Sequence, residues 1–220
     1  VDQIKNQVDE QGYSVFQLSP ETISYLSSMD LSNLDNGFHL NNADHCAAIS
    51  EVSELRNIIH SLQTDCISEN IPWNQINVIR VVKQKSSEKY RTHYDSHLYT
   101  LVIPIQTSNE ENILKGQLYL APNLRKQPKL DLINFIQKVF AFRWRGEAGY
   151  ARLAALEKIK LFDLQFGEAI LFNGSRSLHG NLSNESEETR VTMITHMADP
   201  FPNGIGALIR KVRKFTGLRK

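Results

Sequence analysis

What most constrains the fold is the run of short apolar stretches that begins at Ile76 and is spaced by polar turns. INVIRVVKQ is β-branched enough to be a strand and is followed by the turn SSEK; LYTLVIPIQ is a near-continuous apolar strand followed by the turn TSNEEN. ILKGQLYLAP carries an internal glycine, expected to mark a bulge or a close backbone approach. KLFDLQF, EAILFN and RVTMITHM complete the set. Six or so strands without the alternating strand and helix rhythm of a parallel sheet predict a mainly β architecture, an antiparallel sandwich or barrel with helices flanking it.

The helices come from two regions. Residues 2–10 predict a short polar helix ended by Gly12, with YSVFQL after it as a half-buried strand. Ser19, Pro20 and Glu21 form a helix start, and the helix runs to about Ser28. Asp30–His39, rich in Asn, Asp and Gly, reads as loop. Ile49, Val52, Leu55, Ile58, Ile59 and Leu62, at steps of three and four, predict a helix over Cys46–Ser68. The second region is an insert at 123–158, where LDLINFIQKVFAF and ARLAALEKI have helical spacing around the break RWRGEAG. With no repeats, low-complexity tracts or linkers, the organisation expected is a single domain over 1–220: a helical N-terminal region over 1–70, a β core over 76–198 holding the insert, and a basic tail over 199–220.

A net charge of +1 with 22% charged residues says nothing about partners. No apolar run approaches the roughly 18–20 residues needed to cross a bilayer, and the first residues lack a signal-peptide apolar core. A cytoplasmic location follows as the expectation. Cys46 and Cys66 lie in helical stretches at no metal-type spacing and are expected as reduced thiols, with a single disulfide as the alternative.

Two polar clusters interrupt the strands. His93, Tyr94 and Asp95 stand directly before LYTLVIPI, and two residues apart on an extended chain His93 and Asp95 face the same way. His179 stands in a polar loop between EAILFN and RVTMITHM, and Arg190 opens the second of these strands eleven residues later. Two histidines and a carboxylate make a candidate metal site with open positions, the arrangement of non-haem Fe(II) oxygenases. An arginine beside it suits an acidic co-substrate. A His-x-Asp alone is weak evidence and is more often a pair of ordinary polar residues of the core or surface.

The pieces DEQGYSVFQLSPETISYL, HYD at 93–95, KGQLYLAPN and FGEAILFNGSRSLHGNLSNESEETR together resemble the Fe(II)/2-oxoglutarate-dependent oxygenases, within them the phytanoyl-CoA-hydroxylase-like group. The resemblance implies a double-stranded β-helix, a jelly-roll or cupin-like barrel, with His93, Asp95 and His179 as iron ligands and Arg190 holding the distal carboxylate of 2-oxoglutarate. Thr192, two beyond Arg190, and Asn181, two beyond His179, are further candidates for the same co-substrate; each is also explained by sheet or loop packing. The implied activity is hydroxylation, or another oxidation, of a C–H bond with molecular oxygen, the co-substrate being converted to succinate. The carboxylate of Asp95 argues against halide transfer, whose enzymes leave that position open.

The expected substrate is a small molecule, sugar-like or glycan-type or lipid-linked; a protein or peptide side chain, or a non-catalytic binding barrel, are the alternatives. His97 falls on the face of His93 and Asp95, as a group near substrate or an accessible strand histidine. His196 reads as surface or core, while His39, His45 and His60 have no ligand-type spacing. Trp144, with Arg143, Arg145, Glu147 and Gly149, marks a polar-aromatic break that either meets an anionic or sugar-like substrate or is an exposed helix turn. Six basic residues and no acid between Arg210 and Lys220 predict a short basic amphipathic helix, either a cap on the barrel or a peripheral contact with an anionic membrane. No nucleic-acid-binding module is recognisable.

Overall fold

The structure, a computed structural model, describes residues 1–31, 33–83, 89–108, 110 and 113–205. Among the described residues nine strands form two antiparallel sheets. The larger contains β1 (Tyr13–Gln17), β7 (Glu168–Asn173), β4 (Tyr99–Gln106), β9 (Arg190–Met197), β3 (Gln75–Val82) and β2 (Gly37–Leu40), in that spatial order. The smaller runs β6 (Lys160–Phe162), β5 (Leu118–Ala121), β8 (Leu178–Asn181).

Period-two alternation divides the large sheet into a helix-covered face and a cavity face. Leu101 and Ile103 of β4, Ala169 and Leu171 of β7, and Met193 and Met197 of β9 pack into one core with the N-terminal helices. Their sequence neighbours Thr100 and Val102, Ile170 and Phe172, and Arg190, Thr192, Ile194 and His196 turn the other way. The helices are α1 (Asp2–Gln11), α2 (Pro20–Ser27), α3 (Ala43–Glu51) and α4 (Ser53–Ser68). Ser19 caps α2 as its sequence predicts, its Oγ accepting from the Thr22 backbone N–H at 3.2 Å. Gly12 stops α1 in the left-handed region at φ 89°, and a Cβ there would meet the Asn123 side chain at 2.9 Å.

Four expectations are corrected. The helix over Cys46–Ser68 is two helices, broken where Val52 is extended (ψ 116°); the apolar spacing continues across the break because Ile49, Val52 and Leu55 enter the same core. Asp30–His39 is not all loop: β2 pairs with β3, an edge strand whose Phe38 and Leu40 side chains are exposed, so no buried face advertises it. The polar loop around His179 contains β8, held by β5; LHGN has no apolar alternation to reveal it. The helix expected from Ala151 onward is α6 (Gly146–Ala154), which takes in Glu147 and Gly149. It starts early because Gly149 lets it approach the 3-10 turn Ala141–Trp144; a Cβ at 149 would lie 2.3 Å from the Trp144 carbonyl carbon. The other insert helix is α5 (Asp131–Phe140). Strands β5 and β6 are shorter than their apolar runs, Lys115 making only an isolated bridge to Asn184. The basic helix expected at 208–220 lies outside the described residues. Both cysteines are free thiols. Among the described residues no helix is long and apolar enough to cross a membrane.

Candidate metal centre

The cavity faces of the two sheets enclose a space of about 250 Å³. At one end, donor atoms of His93, Asp95 and His179 all lie within 4.8 Å of one another, and among the described residues this is the only such group of three or more potential ligands. His93 and His179, 86 positions apart in sequence, are a backbone pair: each N–H donates to the other's carbonyl at 3.0 Å. The Asp95 N–H donates to the Gly174 carbonyl at 3.0 Å, tying the third candidate to the end of β7. The expected meeting of remote side chains therefore occurs, and main-chain pairing enforces it.

The side chains are oriented as a cation requires. Nδ1 of His93 lies 2.7 Å from the Arg91 carbonyl and Nδ1 of His179 lies 2.9 Å from the Ser177 carbonyl. With Nδ1–H donating to those acceptors, both Nε2 lone pairs face Asp95, at 3.4 Å from its Oδ1 and Oδ2 respectively. Burial by itself would raise the Asp95 carboxyl, but the charge and hydrogen bonds of the His179 and His196 rings in their protonated form hold it well below the usual carboxylate range, and a cation on His179 Nε2 would take the place of that proton. Thr100 Oγ1 donates to Asp95 Oδ2 at 2.6 Å, orienting the carboxylate. Two neutral imidazoles and one carboxylate fit Fe(II) and leave coordination positions open.

Arg190 enters the same cavity from the start of β9, buried, and among the described residues nothing accepts a hydrogen bond from its guanidinium. Burial, with the Arg80 guanidinium nearby, pushes it down to about 9, so it remains protonated at neutral pH. Gly116, at φ 71°, passes over it; a Cβ there would touch Arg190 Cδ at 3.5 Å, the close approach expected of a glycine in this stretch. Thr192 lines the cavity on the Arg190 side of β9. Asn181 also lines it, with its amide engaged on both sides: Oδ1 accepts from Arg80 Nη1, and Nδ2 donates to the Gly116 carbonyl at 2.9 Å.

Several lining residues were not predicted. Arg80 is a charge in the middle of the apolar strand INVIRVV, a signal that was there to be read. Thr100 and His196 face each other across β4 and β9, with Thr100 Oγ1 3.1 Å from His196 Nδ1 and the latter 3.5 Å from Asp95 Oδ2. His196 is thus neither ligand nor plain surface, and buried His97 stacks on it with ring centroids 5.5 Å apart. Arg91 and Arg145 stand at the mouth. Arg145 is carried there by the insert, which is fixed to the His93 segment: Thr92 Oγ1 donates to the Trp144 carbonyl at 2.7 Å, and Gly146 N–H donates to the Tyr90 carbonyl at 3.0 Å.

Two antiparallel sheets facing each other across the cavity make a double-stranded β-helix, the fold of the solved structures to which the chain is similar. No family model and no curated protein matches the sequence. Among solved structures, similarity extends to EctD from S. alaskensis with bound Fe (TM-score 0.59, 12% identity, 90% of this chain and 76% of that one). It extends likewise to EvdO2 from Micromonospora carbonacea var. aurantiaca complexed with 2-oxoglutarate (0.55, 11%, 90% and 91%). A Pseudomonas putida prolyl-4-hydroxylase is a third (0.56, 9%, 89% and 97%). At these identities the likeness is one of fold.

Proposed function

We propose that this protein is a non-haem Fe(II)/2-oxoglutarate-dependent dioxygenase of the phytanoyl-CoA-hydroxylase-like group, oxidising a C–H bond of a small-molecule, sugar-like or lipid-linked substrate. The observation that carries this is the convergence of the His93, Asp95 and His179 donor atoms in one cavity with the buried guanidinium of Arg190. Similarity to structures holding Fe and 2-oxoglutarate supports the same pairing of metal and diacid. When bound, Fe(II) supplies the oxygen chemistry, and 2-oxoglutarate supplies the two further electrons that reduction of O2 requires.

The chain's own residues bind, orient and exclude water. His93, Asp95 and His179 hold the metal, with Thr100 and His196 fixing the carboxylate. Arg190 takes the distal carboxylate of the co-substrate in a charge-assisted pair, and the Thr192 hydroxyl on the same face donates to it. Asn181 supports that end of the cavity through Arg80. Val102, Leu118, Phe172 and Ile194 give it a dry wall, which strengthens the ion pair. At the mouth, Arg91 and Arg145 line the cavity, and among the described lining residues Asp95 is the only carboxylate, favouring a substrate that carries negative charge.

Anaerobic titration of the protein with Fe(II) and 2-oxoglutarate tests the reading. A weak visible charge-transfer band is expected from the wild type and is lost in Asp95→Ala and Arg190→Ala. A band that persists unchanged in both variants overturns the site assignment.

A further inference from the structure

The insert helix α5 is amphipathic with its polar side turned inward. Buried Asn134 and half-buried Gln137 accept from the Arg125 guanidinium at 2.9 and 2.8 Å, and Lys138 Nζ donates to Ser96 Oγ at 2.9 Å. Arg125 itself lies over the Tyr94 ring, 4.0 Å from its centroid, and its Nε donates to the Ser175 carbonyl at 2.7 Å. The apolar side faces out: Leu132, Ile133, Ile136, Val139 and Phe140 are 42–65% exposed, and Phe142 in the following turn is 53% exposed. A soluble helix ordinarily buries its apolar stripe and shows its polar one. Here the arrangement is reversed over the helix's full length, while the polar side is committed to fixed hydrogen bonds.

Basic residues predominate in the sequence around this face. Between Arg125 and Arg145 there are six basic residues and one acid, Asp131. Lys126, Lys129 and Arg143 are exposed. Asp131 Oδ2 accepts from the Ile205 backbone N–H at 2.6 Å, so this one acid is engaged within the fold. An apolar stripe rimmed by lysine and arginine is the chemistry of an interfacial helix, which buries its apolar side at the boundary of headgroups and acyl chains while its basic rim meets anionic headgroups.

We infer that α5 and the adjoining turn form a docking surface for an anionic lipid bilayer. The helix is one hydrogen bond from Ser96 and reaches Tyr94 through Arg125, the two being neighbours of Asp95 and His93, so docking brings the candidate metal centre to the membrane surface. A lipid-linked substrate would meet it there, although the surface stands independently of the oxygenase reading.

The test is co-sedimentation of the full chain with vesicles of phosphatidylcholine alone and with about one third phosphatidylserine. Binding to the anionic vesicles, weakened by added salt, is expected. It falls roughly tenfold or more in Ile133→Asp/Ile136→Asp, and also in Lys126→Glu/Lys129→Glu, with thermal unfolding checking that both variants fold. No binding by the wild type overturns the inference. So does binding that both variants retain, which would assign it to the basic terminal sequence alone. A wild-type dimer that Ile133→Asp dissociates would also overturn it, because the face would then belong to a second copy.

Discussion

Replacing Arg190 with methionine should stabilise the empty protein while abolishing its response to the co-substrate. The guanidinium is buried, and burial together with the nearby Arg80 guanidinium brings it from 12.5 down to about 9, so its charge is poorly stabilised in the cavity. At about 1.4 kcal/mol per pH unit, that difference of 3.5 corresponds to about 5 kcal/mol. Methionine preserves most of the stem's packing and removes the charge; after relaxation about 2–3 kcal/mol of this is expected as added stability. For a chain of this length that raises the melting temperature by about 5–10 °C. With Mn(II) present throughout, adding 2-oxoglutarate at about a hundred times its wild-type dissociation constant should then stabilise the wild type by about 2.7 kcal/mol and the variant far less. Thermal unfolding followed by circular dichroism, without ligands and then in Mn(II) with and without 2-oxoglutarate, reads the two effects separately. A variant that melts below the wild type when empty, or shifts equally with the diacid, would show that Arg190 is a structural cation and not the carboxylate clamp.

Two further outcomes follow from particular contacts. In Gly174→Ala the new methyl would lie 2.7 Å from Asp95 Oδ2 and 2.5 Å from Thr100 Oγ1, so Mn(II) affinity measured by calorimetry should fall about 10–100-fold with every ligand present; affinity within twofold of wild type refutes the contact. His45, fully buried with Nε2 3.1 Å from Thr195 Oγ1, is lowered by burial to about 3, so the unfolded chain takes up its proton first as pH falls. Its contribution is fully present above about 6.5 and is lost as pH drops towards 3. Between pH 7 and 5 the wild type should lose about 2 kcal/mol more in urea unfolding than His45→Gln, and parallel losses would refute this.

How much of this was legible in the sequence depended on what kind of force places each residue. That His93, Asp95, His179 and Arg190 meet in one cavity could be anticipated because the proposed metal and diacid chemistry calls for particular side chains at particular strand ends. The large-sheet strands β3, β4, β7 and β9 could be found because each carries a buried apolar face turned away from the cavity. Strands β2 and β8 were hidden because backbone pairing, and not side-chain burial pattern, creates them. Thr100 and His196 were hidden for a related reason: their meeting depends on the register Thr100↔His196, which no local pattern encodes. The break at Val52 escaped because the apolar spacing was the same on both sides of it.

The reciprocal main-chain bonds between residues 93 and 179 separate the shape of the ligand cage from the identity of its donors. Either imidazole can be exchanged for another side chain while the two peptide groups stay locked, so such a mouth is free to change its metal preference over evolutionary time without dismantling the barrel that carries it. What would be conserved across such a lineage is the spacing of two backbones, and the chemistry would be the component that drifts.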